Sequence, residues 1–269
     1  MNPIKIRFLL TGRCTAICAY CHNEGQPKPA PMLSLQTIRH VLETLRSHQI
    51  PLQEIVLSGG EPTLHKELGA IAEICAATNA QVSMNSHGGH PDRLQAALPY
   101  LYELKLHIDS FHPGHQFRSM GIALHKVRES IAMAQKYPIK LLANHPVQTW
   151  GETRRFVRSA RDSGIDCKLI DLLNDMTDSL SGEQMPWHEE GYTRTDGNTW
   201  QHSDTHHRIH TRQCGGEHNT SNDTLFIGTD GIRRALDGPV IGHAEDFDIQ
   251  FLSDSRYQED PWRPLRFQA

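Results

Sequence analysis

The organisation of this chain is decided by one short stretch, Cys14-Thr15-Ala16-Ile17-Cys18-Ala19-Tyr20-Cys21. It holds three of the six cysteines, with the spacing C-x3-C-x2-C. Three thiolates at this spacing can converge on one inorganic centre from a single loop, and thiolates bind soft metals and iron–sulfur clusters. No fourth protein ligand is evident nearby in the sequence, so the centre would keep one position open, as a catalyst needs.

Three other interpretations of the cysteines are a structural zinc site, a disulfide framework and a chance grouping. Structural zinc sites usually have four protein ligands, and the neighbouring candidate for a fourth, His22, is awkwardly adjacent to Cys21. A disulfide framework suits short secreted chains, whereas this chain has 269 residues and no signal peptide is expected before its first strand. An iron–sulfur cluster is the favoured interpretation, and a zinc site or a chance grouping remain alternatives.

The sequence around the cysteines supports the cluster. The apolar run 4–10 precedes them and predicts a buried strand. A second strand-like run, 54–57, leads into Ser58-Gly59-Gly60-Glu61-Pro62. The cysteine spacing, the aromatic Tyr20 and this G-G-E-P motif together resemble the radical S-adenosylmethionine (radical SAM) superfamily. The continuation His-Asn-Glu-Gly after Cys21 is most similar to the branch that contains the GTP cyclase of molybdenum cofactor biosynthesis.

The resemblance implies two cofactors. Cys14, Cys18 and Cys21 would bind a [4Fe–4S] cluster, and S-adenosylmethionine would chelate its remaining iron. Reductive cleavage of S-adenosylmethionine would give a 5′-deoxyadenosyl radical that abstracts hydrogen from a substrate, so the cofactors carry the chemistry. A reductant such as flavodoxin or ferredoxin is implied as the electron source.

The resemblance also assigns residues to the S-adenosylmethionine site. Gly59 and Gly60 would let the backbone approach the methionine group without a Cβ clash. Glu61 and Pro62 would fix the position of this stretch of backbone. The alternative is that the four residues form an ordinary strand-to-helix turn. Tyr20 would contact the adenine, mainly through its backbone. The other cofactor-binding candidates are Asn85, Ser86, Asp109 and Asn144; for the last two, a purely structural polar role is the alternative.

Strand-like and helix-like segments alternate along the chain. Strands are predicted near 5–10, 54–57, 81–84, 104–108, 139–143 and 167–170, and helices near 34–48, 67–78, 91–98, 122–135 and 153–163. Such alternation predicts right-handed βαβ units around a parallel sheet. Together with the resemblance, it predicts an α/β fold, a partial (β/α)6 TIM-like barrel, with a small C-terminal extension.

Polar residues follow the predicted strands, where the active sites of α/β barrels lie. They include Asn85, Asp109, Asn144 and Asp171. Lys168 and Asp171 are tentative substrate contacts, and the register of His107 is left open. Cys75 falls on the apolar face of a predicted helix and is expected in the core.

The predicted domains are a barrel over 1–178 and a loop-rich extension over 179–269. The stretch 179–218 lacks aliphatic periodicity and predicts long loops, possibly a lid. Its aromatic residues, Trp187, Tyr192 and Trp200, could stack on a flat substrate ring or merely anchor the segment. The tail, with Trp262 and Phe267, is expected to pack across the open barrel.

A hairpin is predicted over 224–236, with Asp230-Gly231 as its turn. It is similar to the C-terminal hairpin of SPASM/twitch extensions, in which a cluster cysteine follows the turn. Ala235 stands near that cysteine's place, and Cys214 lacks a partner cysteine after it. The extension is therefore expected to be degenerate and to hold no auxiliary cluster.

The composition and charge of the chain argue against several classes of binding partner. The net charge of −4 comes without a basic stripe, so nucleic acid is not expected. No apolar run suits a membrane span, and clustered thiols suit the reducing cytoplasm. Four of the 18 histidines, His202, His206, His207 and His210, are interpreted as a polar loop rather than a second metal site.

The substrate is the least determined element. Because the first strand begins near residue 4, we expect no N-terminal peptide-recognition domain, which favours a small nucleoside-like or sugar-like biosynthetic substrate. Peptide modification is the second choice, since SPASM-like extensions are frequent there. A zinc- or cluster-binding regulatory module would not need the G-G-E-P motif. The GTP cyclase activity itself is not expected, because the C-terminal cluster ligands of that enzyme are missing.

Overall fold

A computed structural model describes residues 3–21, 31–171, 181–213, 224–234 and 240–253. By their contacts the residues form two compact units. The first comprises Met1–Arg13, His22–Val82 and Glu217–Ala269; the second comprises Cys14–Cys21 and Ser83–Gly216. These units cross the boundary predicted at residue 178, and the assignment of two domains at that point remains a prediction.

Strands and helices alternate through the first two thirds of the chain, as predicted. The strands are β1 (Ile4–Leu9), β2 (Leu52–Ser58), β3 (Gln81–Ser86), β4 (Glu103–His107), β5 (Lys140–Pro146), β6 (Asp166–Asp171), β7 (Tyr192–Asp196), β8 (Thr199–His202), β9 (Arg208–Gln213), β10 (Thr224–Gly228) and β11 (Gly231–Arg233). The helices are α1 (Leu35–Ser47), α2 (Leu68–Ala76), α3 (Pro91–Leu94), α4 (Pro113–Met120), α5 (Leu124–Ala134), α6 (Trp150–Asp162) and α7 (Gln250–Ser253).

The first unit is built on β1. This strand pairs in parallel with β2 on one side and with β10 on the other. The hairpin of β10 and β11 is antiparallel and turns at Gly231, whose φ of +136° favours glycine. The predicted hairpin is thus confirmed, and the structure adds that it continues the sheet beside β1.

Helix α1 shows how local sequence sets an element of this unit. The Ser34 side chain accepts a hydrogen bond from the Thr37 N–H at 3.0 Å, which caps the first turn. Ile38, Val41 and Leu45 are fully buried on one face of the helix. In α2, Cys75 is also fully buried, so its predicted core role is confirmed.

The second unit contains the strand order β3-β4-β5-β6-β9-β8-β7. The pairs from β3 to β6, and the pair of β6 with β9, are parallel, whereas β9, β8 and β7 are antiparallel to one another. The predicted parallel α/β arrangement of a partial barrel is confirmed.

Three expectations about this unit were wrong. The segment 192–213, predicted as loops, forms three strands, and β9 extends the parallel sheet. Its polar composition hid the strands, since few of its residues show an apolar alternation. Helix α4 was missed because Pro113–Met120 lacks an apolar stripe. Strands β3 and β5 run past their predicted ends and include Ser86 and His145.

The sheet of the second unit has two unlike faces. One carries apolar side chains that are almost fully buried: Leu104, Leu106, Ala143, Cys167, Leu169 and Ile209. Helix α6 covers this face at β5, where Phe156 stacks on His145 with ring centroids 3.8 Å apart. Because side chains alternate along a strand, the residues between them point to the other face. That second face carries the polar residues discussed below.

Candidate active site

The cysteine loop comprises residues 14–21, the last residues described before the gap at 22–30. Cys14 and Cys18 are half-buried and Cys21 is exposed, and none of them is in a disulfide. The loop is tightened by a hydrogen bond from the Cys21 N–H to the Cys18 carbonyl at 3.2 Å. The Ala16 N–H points to the Cys14 Sγ at 3.3 Å. Three thiols are therefore presented by one short, partly accessible segment.

The residues between the cysteines hold the loop in place. The Thr15 Oγ1 lies 3.1 Å from the His87 Nε2 and 3.0 Å from the His90 Nε2. The Gly89 N–H donates to the His87 Nδ1, so that nitrogen is unprotonated and the proton of a neutral ring lies on Nε2. His87 then donates to Thr15, and Thr15 donates to His90.

Two further contacts fix the second half of the loop. The Ile17 N–H donates to the Met120 carbonyl at 3.0 Å, at the C-terminus of α4. The Tyr20 hydroxyl donates to the Asp109 carboxylate and lies 2.7 Å from the His107 Nε2. Thr15, Ile17 and Tyr20 lie among the cysteines, so the loop is anchored through residues that are not the predicted ligands.

The electrostatics of the loop match a bound cation. Burial, and to a smaller extent the Asp109 carboxylate and the other two loop cysteines, raise the pKa of the Cys18 thiol to about 11, against the opposing effect of a hydrogen bond with Tyr20. Iron would offset this penalty, because metal coordination deprotonates a thiol outright. The chemistry of the donor set, three thiols in one anchored loop, therefore fits the predicted iron–sulfur cluster.

The Gly59–Gly60 turn belongs to the first unit and is closely packed. A Cβ on Gly60 would lie 2.2 Å from the Arg13 carbonyl oxygen, and one on Gly59 would lie 2.5 Å from that of Thr11. Gly59 also has a φ of +124°. The Gly60 N–H donates to the Thr11 carbonyl at 2.6 Å, and the Glu61 N–H donates to that of Arg13 at 2.8 Å. The glycines are required because the chain just before the cysteine loop passes against them.

Glu61 and Pro62 complete this turn. Glu61 is fully buried, and its carboxylate accepts hydrogen bonds from the Thr63 N–H at 3.1 Å and the Thr63 hydroxyl at 2.7 Å. Pro62 opens the short 3-10 helix Pro62–Leu64. The acidic side chain caps that helix. In this structure the G-G-E-P motif is a rigid corner, and its role toward S-adenosylmethionine remains a prediction.

Asp109 lies directly after β4 and is almost fully buried. Burial acts to raise its pKa, but hydrogen bonds from His107 and Tyr20 hold the pKa below its usual value. The Gln116 Oε1 accepts from the N–H groups of both Asp109 and Ser110 at 3.0 Å. Below it, the His145 Nδ1 lies 3.1 Å from the Ile108 carbonyl, so Nδ1 carries the donated proton. Asp109 therefore braces the cysteine loop.

The polar face of the second unit gathers several predicted residues. Cα partners in adjacent parallel strands share a face. Asn85 is the partner of Lys105, His107 of Asn144, and Asn144 of Lys168. The face away from α6 therefore holds a polar row, which is continued by His210. This resolves the register of His107, which the sequence left open, in favour of the face that carries Asn144.

Two predicted residues do not join this row. Ser86 pairs with Leu106 on the apolar face, and its hydroxyl oxygen accepts from the Gly88 N–H at 3.0 Å. Asp171 is three residues from Lys168 in β6 and lies on the opposite face. Its carboxylate accepts from the Gly182 N–H at 2.8 Å, so it braces the chain before β7. The expected grouping of Asp171 with Asn85, Asp109 and Asn144 is not observed.

Of the three aromatic residues considered for stacking on a substrate, Trp187 and Tyr192 are buried anchors rather than an open platform. Trp187 is fully buried and donates from its indole nitrogen to the Gly182 carbonyl at 2.7 Å. Tyr192 is 2% exposed, and its hydroxyl lies 2.8 Å from the His207 Nδ1. Trp200 is half-buried, with the Arg194 guanidinium 5.7 Å from its ring centre.

Some predictions fall outside the described residues: those on His22, Cys214, Ala235, Trp262 and Phe267. Within the described ranges, no three His, Cys, Asp or Glu side chains converge on a position for a single metal ion. A cubane cluster does not require such convergence, because each thiolate binds a different iron. No helix in the described part of the chain is long and apolar enough to cross a membrane.

The sequence reasoning missed the residues that hold the cysteine loop. His87 and His90 act through contacts with Thr15, which is distant in sequence, and Gln116 acts on Asp109 seven residues before it; no local motif marks any of the three. Thr15 gave no signal beyond its place between two cysteines. His107 was noticed, but without its contact to Tyr20.

Comparison with known proteins agrees with the site. The Radical SAM superfamily profile matches residues 8–180. The GTP 3′,8-cyclase of Synechococcus elongatus is 30% identical over 190 residues, which cover 64% of this chain and 55% of that protein. A probable GTP 3′,8-cyclase of Thermococcus kodakarensis is 28% identical over 177 residues, which cover 62% and 56%. The chain thus matches about half the length of these curated relatives.

Solved structures share the fold at low identity. Streptococcus suis SuiB bound to its precursor peptide SuiA has a TM-score of 0.74 at 11% identity, covering 98% of this chain and 67% of that one. The anSMEcpe structure with bound AdoMet and the Kp18Cys peptide has a TM-score of 0.69 at 14% identity, covering 94% and 81%. The profile, the anchored C-x3-C-x2-C loop and the fold agree: this chain belongs to the Radical SAM superfamily, a family of enzymes whose cofactors are S-adenosylmethionine and an iron–sulfur cluster.

Proposed function

We propose that this protein reductively cleaves S-adenosylmethionine at a single [4Fe–4S] cluster and uses the resulting radical on a small biosynthetic substrate of the nucleoside or sugar type. The observation that carries the proposal is the cysteine loop, in which Thr15, Ile17 and Tyr20 are anchored and one short segment carries all three thiols. When bound, the cluster supplies the electron that splits S-adenosylmethionine into methionine and a 5′-deoxyadenosyl radical.

The protein's own residues would bind the two cofactors and the substrate and orient them. Cys14, Cys18 and Cys21 would hold the cluster. The rigid corner at Gly59–Pro62 would present backbone groups to the methionine end of S-adenosylmethionine. Asn85, Asp109 and Asn144 remain the candidates for polar contacts with this cofactor, but Asp109 already accepts from Tyr20 and so serves first to orient the loop. Lys168 remains a candidate for substrate binding.

Two observations support a small substrate. The curated relatives are named for a reaction of GTP, a nucleotide. In addition, the face with His107, Asn144 and Lys168 is lined by polar groups suited to a hydroxylated molecule.

A flavodoxin- or ferredoxin-type reductant would deliver the electron. With five of the six cysteines described and the sixth at Cys214, the sequence offers no second C-x3-C-x2-C set.

Peptide modification is the second candidate. It is favoured by one observation, the fold shared with SuiB and anSMEcpe, whose structures contain bound peptides. At 11% and 14% identity this likeness concerns the fold, and it sets the alternative to be tested.

The test is an untargeted assay. The enzyme is reconstituted with iron and sulfide under anaerobic conditions and given S-adenosylmethionine and dithionite. A metabolite extract below 1 kDa and a peptide fraction are then added separately, and substrate-dependent 5′-deoxyadenosine is measured. Stimulation by the metabolite extract is the expected result. Stimulation by the peptide fraction alone would refute the small-substrate assignment and favour the second candidate.

A further inference from the structure

The two most exposed large apolar side chains of the described residues lie in the cysteine loop and on the helix that holds it. Ile17, between Cys14 and Cys18, is 67% exposed, and Phe117 on α4 is 58% exposed. Single exposed apolar residues are normal on a protein surface, whereas a contiguous group of them marks an interaction site. Ile17 and Phe117 therefore indicate such a site if they are neighbours.

The end of α4 brings Ile17 and Phe117 together. The Ile17 N–H donates to the Met120 carbonyl, and a Cβ on Gly121 would lie 3.4 Å from the Ile17 Cγ1, so the Ile17 side chain packs against the end of the helix. The Gly121 N–H donates to the Phe117 carbonyl at 2.8 Å and closes the last turn of α4. Phe117 is thus one helical turn, about 5.4 Å, from the residue that Ile17 contacts. The two side chains form one exposed apolar patch beside the predicted cluster ligands.

The chain around this patch is basic, although the whole chain has a net charge of −4. Between Asp109 and Glu129 it carries three cations, Arg118, Lys126 and Arg128, and no carboxylate. Lys126 pairs with Glu129 at 3.3 Å. Arg118 and Arg128 are exposed, and within the described ranges neither of them pairs with a carboxylate. The patch is therefore flanked by positive charge that an acidic partner would complement.

We propose that Ile17, Phe117 and Arg118, here called the α4 surface, dock the electron donor of this enzyme, an acidic carrier protein of the flavodoxin type. The acidic groups of such a carrier complement Arg118, with Arg128 adding to the attraction. The apolar edge of its flavin ring matches Ile17 and Phe117. The proposal rests on the proposed function, because only a protein that holds a reducible cluster needs such a donor.

The position of the α4 surface suits electron transfer. Transfer slows steeply with distance, so the carrier has to dock close to the cluster, and Ile17 directly precedes the predicted ligand Cys18. The carrier's flavin hydroquinone loses one electron and becomes the semiquinone, and that electron passes to the cluster without any covalent bond forming or breaking. Complexes between electron-transfer proteins are small and transient, and opposite charges steer their encounter. A small apolar patch flanked by cations is enough for such a complex.

The first experiment measures binding, without any turnover. A purified acidic flavodoxin is titrated into the reconstituted protein in a calorimeter at about 50 and about 200 mM salt, and the affinity should fall about 10-fold between them because salt screens exposed charges. Arg118→Glu should weaken binding about 10-fold at the lower salt and remove most of this salt dependence. Phe117→Ser should weaken binding about 10-fold at both salt concentrations, since it removes apolar contact rather than charge.

Two variants elsewhere on the second unit provide matched controls. Arg155→Glu changes the net charge by the same amount at an exposed position of α6, and Tyr102→Ser removes a partly exposed ring just before β4. Both should bind flavodoxin as the wild type does. Equal weakening by Arg118→Glu and Arg155→Glu would show that only net charge matters and would overturn the α4 surface. A ferredoxin titrated in parallel that alone responds to the α4 variants would overturn the flavodoxin assignment.

The second experiment separates docking from chemistry. Formation of 5′-deoxyadenosine is followed with flavodoxin, its reductase and NADPH, and separately with dithionite, a small reductant that needs no docking surface. Arg118→Glu and Phe117→Ser should raise the KM for flavodoxin about 10-fold, and the loss should be confined to the flavodoxin-driven reaction. Equal loss with both reductants, or no loss with either, would overturn the docking role. Iron content equal to wild type shows that the variants fold. Wild-type protein that forms no 5′-deoxyadenosine even with dithionite would instead refute the proposed function.

Discussion

The cysteine loop and the Gly59–Pro62 turn are both short and polar, yet they are held by different forces. The turn is held by backbone hydrogen bonds, its Glu61 and Pro62 are buried, and its glycines have no room for a Cβ. The loop is partly exposed and is held by the side chains of Thr15 and Tyr20 and by the backbone N–H of Ile17. The turn is therefore set by steric fit, whereas the loop is set by contacts of the residues that lie among its three cysteines.

The largest expected effect lies in the loop. Cys18→Ala should abolish reductive cleavage of S-adenosylmethionine, because it removes one ligand of the cluster. The control is Cys75→Ala, which trims a fully buried side chain of α2 and should cost on the order of 1 kcal/mol of stability with cleavage retained. Production of 5′-deoxyadenosine by both proteins is the measurement. Equal loss in the two variants would contradict the core role of Cys75.

The second effect lies in the turn and concerns stability. Gly60→Ala would place a Cβ 2.2 Å from the Arg13 carbonyl oxygen, against backbone that cannot easily move. We expect the free energy of unfolding to fall by about 3 kcal/mol. Gly197→Ala is the matched control, since a Cβ there would meet nothing within 4 Å, and its effect should stay within about 0.5 kcal/mol. Urea unfolding that ranks the two variants equally would argue against the steric role.

Acidification tests the contribution of two buried histidines, His145 and His207, to the stability of the fold. Burial lowers the pKa of His145 to about 4 from 6.5, and that of His207 likewise to about 4. Since the unfolded chain binds these protons first, stability is full above pH 6.5 and is lost as the pH falls toward 4. Each histidine should contribute at most about 1.4 kcal/mol per pH unit in this window.

The variant His145→Asn separates this contribution. It removes one of the two groups, so the slope of unfolding free energy between pH 6.5 and 4.5 should decrease by about one proton. Urea unfolding at several pH values is the measurement. An unchanged slope would mean that His145 is not neutral and buried as its contact with the Ile108 carbonyl implies.

The smallest effect comes from a single anchor of the loop. Thr15→Val removes the hydroxyl between His87 and His90 and should cost about 1 kcal/mol. The loosened loop should also release iron faster to a chelator. Thr15→Ser keeps the hydroxyl and should behave as wild type in both measurements. Equal iron release from Val and Ser variants would show that the histidines do not hold the loop.

Local patterns predicted much of this molecule. The cysteine spacing, the alternation of strands and helices, the Ser34 cap and the Asp230-Gly231 turn depend on neighbouring residues, which the sequence shows directly. What it could not show depends on long-range contacts. Residue 60 has to be glycine because the backbone of Arg13, distant in sequence, passes where a Cβ would lie.

The face of β4 on which His107 lies could not be predicted from the sequence either. Side chains alternate with period two, so a shift of one residue would reverse the faces of His107 and its neighbours. The register was set by pairing with β5, which the sequence could not give. In the same way, β9 was missed because its pairing with β6, rather than its own composition, makes it a strand.

The most direct test of the central claim is the composition of the reconstituted centre. After anaerobic reconstitution, iron and acid-labile sulfide are measured per chain, and the reduced protein is examined by electron paramagnetic resonance with and without S-adenosylmethionine. We predict about four irons and four sulfides, with a spectrum that changes when S-adenosylmethionine is added. About eight irons per chain would contradict a single cluster, and zinc without sulfide would contradict the cluster itself.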